Sequence, residues 1–211
     1  IVTNSLYGIN LAGCVTNIQY AGNHYSNNLA IKWDGQYRIK EFLTNGVSAE
    51  KIGYDALGRR VLTVSGGVTN WHVYDGVHVL ADTDATGGFL RGYGYGAGSD
   101  HLLTMTVYTS GAAKTYYYLT DHLGSIHALA DEEGNVVESY RFDAWGKVLG
   151  VYGPNNEQLI TSSLGNRFLW QGREYSYKTG LYHFRARWYD PVIGRWISND
   201  PIGIAGGLDR K

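Results

Sequence analysis

Cysteine is all but missing: Cys14 stands alone, which excludes an internal disulfide framework. A lone thiol reads as a small buried apolar group rather than a nucleophile. Proline occurs three times and methionine once in 211 residues. Only 18% of residues are charged and the net charge is −1, so no whole-chain field draws the protein to nucleic acid or to an anionic membrane. No apolar run approaches the length needed to cross a bilayer. The opening residues, IVTNSLYGIN, lack the basic, apolar and small-residue order of a secretion signal, so an export address is expected outside this chain.

What is abundant is glycine and rings: 29 Gly, 18 Tyr, 6 Trp and 5 Phe. Aromatic side chains fit the pleated, half-buried surface of strands, and frequent glycines fit tight turns. Short runs such as KTYYYLT, VVESYRF and NWHVYD alternate an aromatic face with a polar one. No window of a dozen residues carries a helical stripe. The expected fold class is all-β: successive antiparallel β-hairpins forming one curved sheet.

An internal repeat precedes any catalytic motif. Trp33-Asp34, Tyr54-Asp55 and Tyr74-Asp75 recur at intervals of about twenty residues. In YDALGRRV (54–61), Asp55 is placed to accept backbone N–H groups ahead of it, and Gly58 suits the last position of the turn. The same D-x-x-G spacing returns at Asp84-Gly87, Asp121-Gly124, Asp131-Gly134 and Asp143-Gly146. The stretch 150–168 is polar and turn-rich, and reads as a long loop or insertion with a short helical turn near Asn156–Ile160. A repeat sheet exposes backbone edges at its ends, and neither terminus carries an evident cap. A segment of a longer polypeptide is therefore expected.

These motifs resemble the RHS or YD-repeat family. YDALGRRV resembles its repeat unit; residues 117–149, from YYLTDHLGSIHALADEEG to RFDAWGKVL, resemble the start of its RHS repeat-associated core. GREYSYKTGLYHFRARWYDPVIGRWISNDPIG (172–203) resembles the C-terminal signature of that core. The resemblance implies a YD-repeat strip over 1–112 and the associated core over 113–211, within a β-strip spiralling into a hollow shell, as in Tc toxin cocoons, RHS effectors and teneurins. It further implies a shell that encloses and presents a C-terminal toxin or effector segment of its own polypeptide, secreted or at the cell surface.

Several self-cleaving relatives use an Arg followed by Asp, together with the Asp of a second Asp-Pro, as an aspartic-protease-like site. Such chemistry needs two carboxyl groups that share a proton. By resemblance Arg187 matches the arginine and Asp200 the second aspartate, while Trp188 replaces the first. Asp190, two residues on, lies on the face of Trp188 in an extended strand, so an Asp190/Asp200 pair is displaced by a strand step of roughly 6–7 Å. The competing reading makes both aspartates turn initiators before proline, with Gly194 permitting the return. The cleavage point of the relatives lies in a further segment beyond this chain's last residue, so the expectation leans to a non-enzyme.

Other constellations are weaker. His24, His72, His78, His101, His122, His127 and His183 are scattered, and only His122 and His127 beside Asp121 approach a metal-ligand grouping; the expectation is no metal and no cofactor. GYGYGAG (92–98) lacks the spacing and following helix of a phosphate loop and reads as bent strands. No G-x-S-x-G surrounds a serine. Arg59, Arg60, Arg173, Arg187 and Arg195 are expected to pair with turn carboxylates or stack on rings. The basic, aromatic tail 167–195 is explained by that stacking, so no nucleic-acid partner is expected. Exposed Tyr and Trp leave a carbohydrate-binding module as a further alternative.

Overall fold

The Asp-to-glycine stretches all reverse the chain, and they do so with one set of bonds. In the computed structural model, which describes residues 6–19, 28–98 and 100–202, the Asp55 N–H donates to the Arg59 carbonyl (3.0 Å) and the Gly58 N–H to the Asp55 carbonyl (3.0 Å). Asp55 Oδ1 accepts the N–H groups of Leu57 and Arg59, each at 2.9 Å. A carboxylate bridging two otherwise unpaired backbone donors is what lets a five-residue reversal close without a ladder. Gly58 sits at φ +79°, a left-handed conformation that costs glycine nothing. Asp84, Asp121, Asp131 and Asp143 repeat the arrangement, with Gly87, Gly124, Gly134 and Gly146 in the left-handed position.

Three further copies have lost part of the motif. Asp34 keeps the carboxylate, but Tyr37 takes the left-handed place at φ +59°. Asn10 supplies an amide oxygen instead, accepting the N–H groups of Ala12 and Cys14 at 3.0 Å each. At Gly153–Glu157 the carboxylate comes from the other end, Glu157 Oε2 accepting the Asn155 N–H at 2.9 Å, and Asn156 is left-handed. The short helical turn expected near Asn156–Ile160 is therefore absent: these residues complete a sheet turn and enter a strand at Gln158. Asp75, the third aromatic-Asp pair of the repeat, makes a different turn. Its glycine follows at once rather than three residues later, so it pairs with His78 across a two-residue hairpin.

The chain divides into two compact units, Ile1–Val68 with Lys178–Lys211, and Thr69–Tyr177. In the first, β1 (Leu6–Ile9), β2 (Val15–Gln19), β3 (Asn28–Trp33), β4 (Ile39–Thr44), β5 (Val47–Tyr54) and β6 (Arg60–Ser65) pair antiparallel in chain order. The second continues with β7 (Val68–Asp75), β8 (His78–Thr83), β9 (Phe89–Tyr95), β10 (Leu102–Thr109), β11 (Ala112–Thr120), β12 (Ile126–Ala130), β13 (Val136–Phe142), β14 (Val148–Tyr152) and β15 (Gln158–Leu159), again in chain order. After β16 (Glu174–Tyr175), a small antiparallel sheet of β17 (Tyr182–Phe184), β18 (Arg187–Asp190) and β19 (Arg195–Trp196) belongs to the first unit. The only helical element among the described residues is a 3-10 turn at Trp170–Gly172.

Each unit buries one face of its strands. In the first, Val15, Ile18, Leu29, Ile31, Ile39, Phe42 and Ile52 pack against Leu181, Trp188 and Ile197 from the small-sheet region. In the second, Tyr93, Met105 and Tyr116 are direct cross-strand partners, as are Tyr118 and Leu129, and all five are buried. The opposite face carries the row Gly92, Thr106, Thr115, whose two threonine hydroxyls are 3.1 Å apart. GYGYGAG is accordingly strand β9 running into a loop, and the Tyr108 ring covers Gly92.

Candidate functional site

The small sheet places the Asp-Pro segment. Arg187 opens β18 and Asp200 lies beyond β19, and the structure brings them together: Arg187 Nη2 is 3.0 Å from Asp200 Oδ2. The same guanidinium lies over the Trp196 ring, 4.2 Å from its centre. Asp190 is wholly buried at the end of β18. The two aspartates make the same local bond: Asp190 Oδ1 accepts the Val192 N–H at 2.9 Å, and Asp200 Oδ1 accepts the Ile202 N–H at 3.0 Å. Both are thus Asp-Pro turns in which the side chain caps the amide beyond the proline. Trp188, expected by resemblance to replace the first aspartate of self-cleaving relatives, is core: its ring meets Phe42 edge-on at 5.1 Å and His183 at 5.0 Å. Nearby, burial raises the Tyr54 hydroxyl to about 12.

A second set of polar groups, none of them expected from sequence, lies buried in the other unit. Asp82 Oδ1 is 2.7 Å from His72 Nδ1, and Asp82 Oδ2 accepts the Tyr93 hydroxyl at 2.7 Å and also Arg167 Nη1. Arg167 Nε donates to Glu174 Oε2 at 2.6 Å. Burial alone would push the Asp82 carboxyl up, but the Arg167 guanidinium and the His72 hydrogen bond hold it far below the usual carboxylate range. A third buried acid, Glu138, accepts the Ser163 N–H at 2.7 Å, the Ser163 hydroxyl at 2.8 Å and the Tyr140 hydroxyl.

These contacts share one purpose. Residues 160–173, of which 160–168 were expected to be part of a long loop or insertion, form a strap laid along one face of the strands. It is pinned at Ser163 by Glu138 of β13, at Leu164 by Arg91 of β9 (3.0 Å), at Asn166 by Tyr118 of β11 (3.1 Å) and at Arg167 by Asp82 of β8. The Leu169 carbonyl then accepts the Ile126 N–H (3.1 Å), and Arg173 reaches Asp100 (2.8 Å). Phe168 and Leu169, within the strap, are buried. One sequence signal was available: in ADTD (81–84) an aspartate interrupts the apolar face, and a buried carboxylate demands a cation.

Arg59 pairs with its turn carboxylate, Asp55, at 2.7 Å. Arg60 instead faces the strand residue Glu50 at 3.6 Å and lies over Trp188. Arg173 and Arg187 pair with Asp100 and Asp200, and Arg195 is exposed opposite Asp190. His127 Nε2 is 3.4 Å from Asp121 Oδ2. No trio of His, Cys, Asp or Glu suited to a metal occurs among the described residues, so the His122, His127 and Asp121 grouping does not assemble into one. His78 stacks on Tyr95. His24 lies outside the described residues. Among them, no helix is long and apolar enough to cross a membrane.

Strands paired in chain order, many of them joined by one recurring turn, and a strap pinned across strands of the second unit define a repeat β-sheet protein. Residues 54–204 match the Teneurin YD-shell family, and the chain belongs to it. Over 151 residues it is 36% identical to the tRNA3(Ser)-specific nuclease WapA of Bacillus spizizenii, covering 70% of this chain and 6% of that protein. Over 204 residues it is 28% identical to double-stranded DNA deaminase toxin A of Burkholderia cenocepacia, covering 84% of this chain and 14% of that one. The crystal structure of TcdB2-TccC3-Cdc42 superposes with a TM-score of 0.65 at 17% identity, over 98% of this chain and 12% of that one. The Photorhabdus luminescens Tc holotoxin pore gives 0.64 at 17%, over 98% and 12%. The fold is thus that of Tc toxin shells, and the chain spans a small fraction of each of these proteins.

Proposed function

We propose that this chain is a wall module of an RHS-type shell, secreted or at the cell surface, with a YD-repeat strip over 1–112 and an associated core over 113–211. In this reading it encloses and presents a C-terminal toxin or effector segment of its own polypeptide. The observation that carries the reading is the recurring turn. A container wall must saturate its backbone along its whole length, and a turn that caps its own donors lets strands be added in chain order indefinitely. The nuclease and deaminase names of the relatives support a C-terminal cargo of that kind. Limited proteolysis of the full-length gene product tests it. The C-terminal segment should survive protease while the shell is folded and be digested once the shell is unfolded; equal digestion in both states would refute enclosure.

A second reading, aspartic self-cleavage releasing that segment, draws support from the 3.0 Å Arg187–Asp200 pair, which joins two members of the relatives' constellation. Asp190 would supply the other carboxylate. Expression with the natural downstream sequence should then give a shorter product that disappears in Asp200→Asn. A single uncut band from the unsubstituted protein would rule the reading out.

A further inference from the structure

The first hairpin of the chain touches its far end. The Val15 N–H, at the start of β2, donates to the Ile197 carbonyl just past β19 at 2.9 Å. Asn199 Nδ2 donates to the Ala12 carbonyl in the turn between β1 and β2 at 3.0 Å. That amide also fills the space beside Gly13, where a Cβ would stand 2.4 Å from Nδ2. Gly13 is left-handed as well, at φ +77°, so two independent demands fall on one residue. From β1, the Tyr7 hydroxyl donates to Asp190 Oδ2 at 3.5 Å. Asp190 and the residue preceding Asp200 are therefore both held from the first hairpin.

We propose that this hairpin is a clasp that positions the Asp200-Pro201 turn against Arg187 and fixes the direction in which the chain leaves the small sheet. Something besides the ion pair has to do this. Residues 197–202 belong to no strand, and an Arg–Asp pair whose side chains are about a quarter exposed contributes little by itself. Ile197, fully buried, anchors the start of the segment, and Asn199, seated on Gly13, locks its course. The consequence rests on the shell reading, in which the chain beyond the core must be delivered to one side of a wall. The contacts do not depend on it.

The two Asp-Pro turns supply an internal control. The Ile202 amide is bonded to Asp200 Oδ1 next to the clasp, and the Val192 amide to Asp190 Oδ1 by the same local geometry. In Asn199→Ala, amide hydrogen exchange at Ile202 should accelerate about tenfold while Val192 keeps its rate. Gly13→Val should do the same where it folds, and Asn199→Ala decides the matter where it does not. An unchanged Ile202 rate, or equal acceleration of both amides, would overturn the clasp. Cleavage is not read in this experiment, so its result is independent of the self-cleavage test, and of the protease-protection test of the shell.

Discussion

Gly58 and Gly146 hold the same place in two copies of one turn, at φ +79° and +86°, yet differ in what surrounds them. Nothing lies within 4 Å of a Cβ built on Gly58, whereas on Gly146 it would meet the Trp170 ring at 2.5 Å. Gly58→Ala should therefore cost only the left-handed backbone, about 1–2 kcal/mol. Gly146→Ala should lose about 1–3 kcal/mol more by overpacking against Trp170. Urea midpoints of the two variants test the difference, and equal losses would contradict the packing assigned to Trp170. The turn carboxylates make a second residue-scale prediction. In Asp84 the Thr86 hydroxyl and then the Gly88 and Thr86 N–H groups hold the carboxyl low; in Asp34, Asp121 and Asp131 burial opposes this but hydrogen bonds prevail. Lowered groups stabilise the fold at higher pH, and that contribution goes as pH falls through the carboxylate range. Thermal stability should be level above about pH 5 and fall below about pH 4. A curve still level at pH 3 would count against these turns. The D-x-x-G copies were legible in the sequence because one side chain and one glycine do all the work. The Asn10 and Gly153 copies were hidden because the acceptor moved to an amide or to the opposite end of the turn.

At the scale of elements, the strap illustrates what local reading misses. Alternation fixed strand existence and an aromatic face, since those depend on neighbours two residues apart. The strap depends on partners 25 to 85 residues away, Glu138 for Ser163 and Asp82 for Arg167, and no local pattern records them. Its polar character makes it sensitive to single truncations. Arg167→Met should cost about 3–5 kcal/mol, because it takes the guanidinium away from the buried Asp82 and Glu174 carboxylates. Asp82→Asn combined with Arg167→Met should cost clearly less than the sum of the two. Simple additivity in denaturant unfolding would show that the pair does not couple. The Asp-Pro segment was half legible: the motifs located Arg187 and Asp200, and the pair forms. The sealing of Asp190 and the reach of the first hairpin to Asn199 required the fold.

At the scale of the whole molecule, membership in the Teneurin YD-shell family and the fold shared with Tc toxin shells agree with the repeat grammar. This chain covers 6% and 14% of the two curated relatives compared with it, proteins named for a nuclease and a deaminase toxin. Enclosure is the central claim, and the activity of the C-terminal segment in the full-length gene product tests it most directly. Measured with the shell intact, that activity should be latent, and it should appear once the segment is severed and released. Equal activity before and after release would contradict the account.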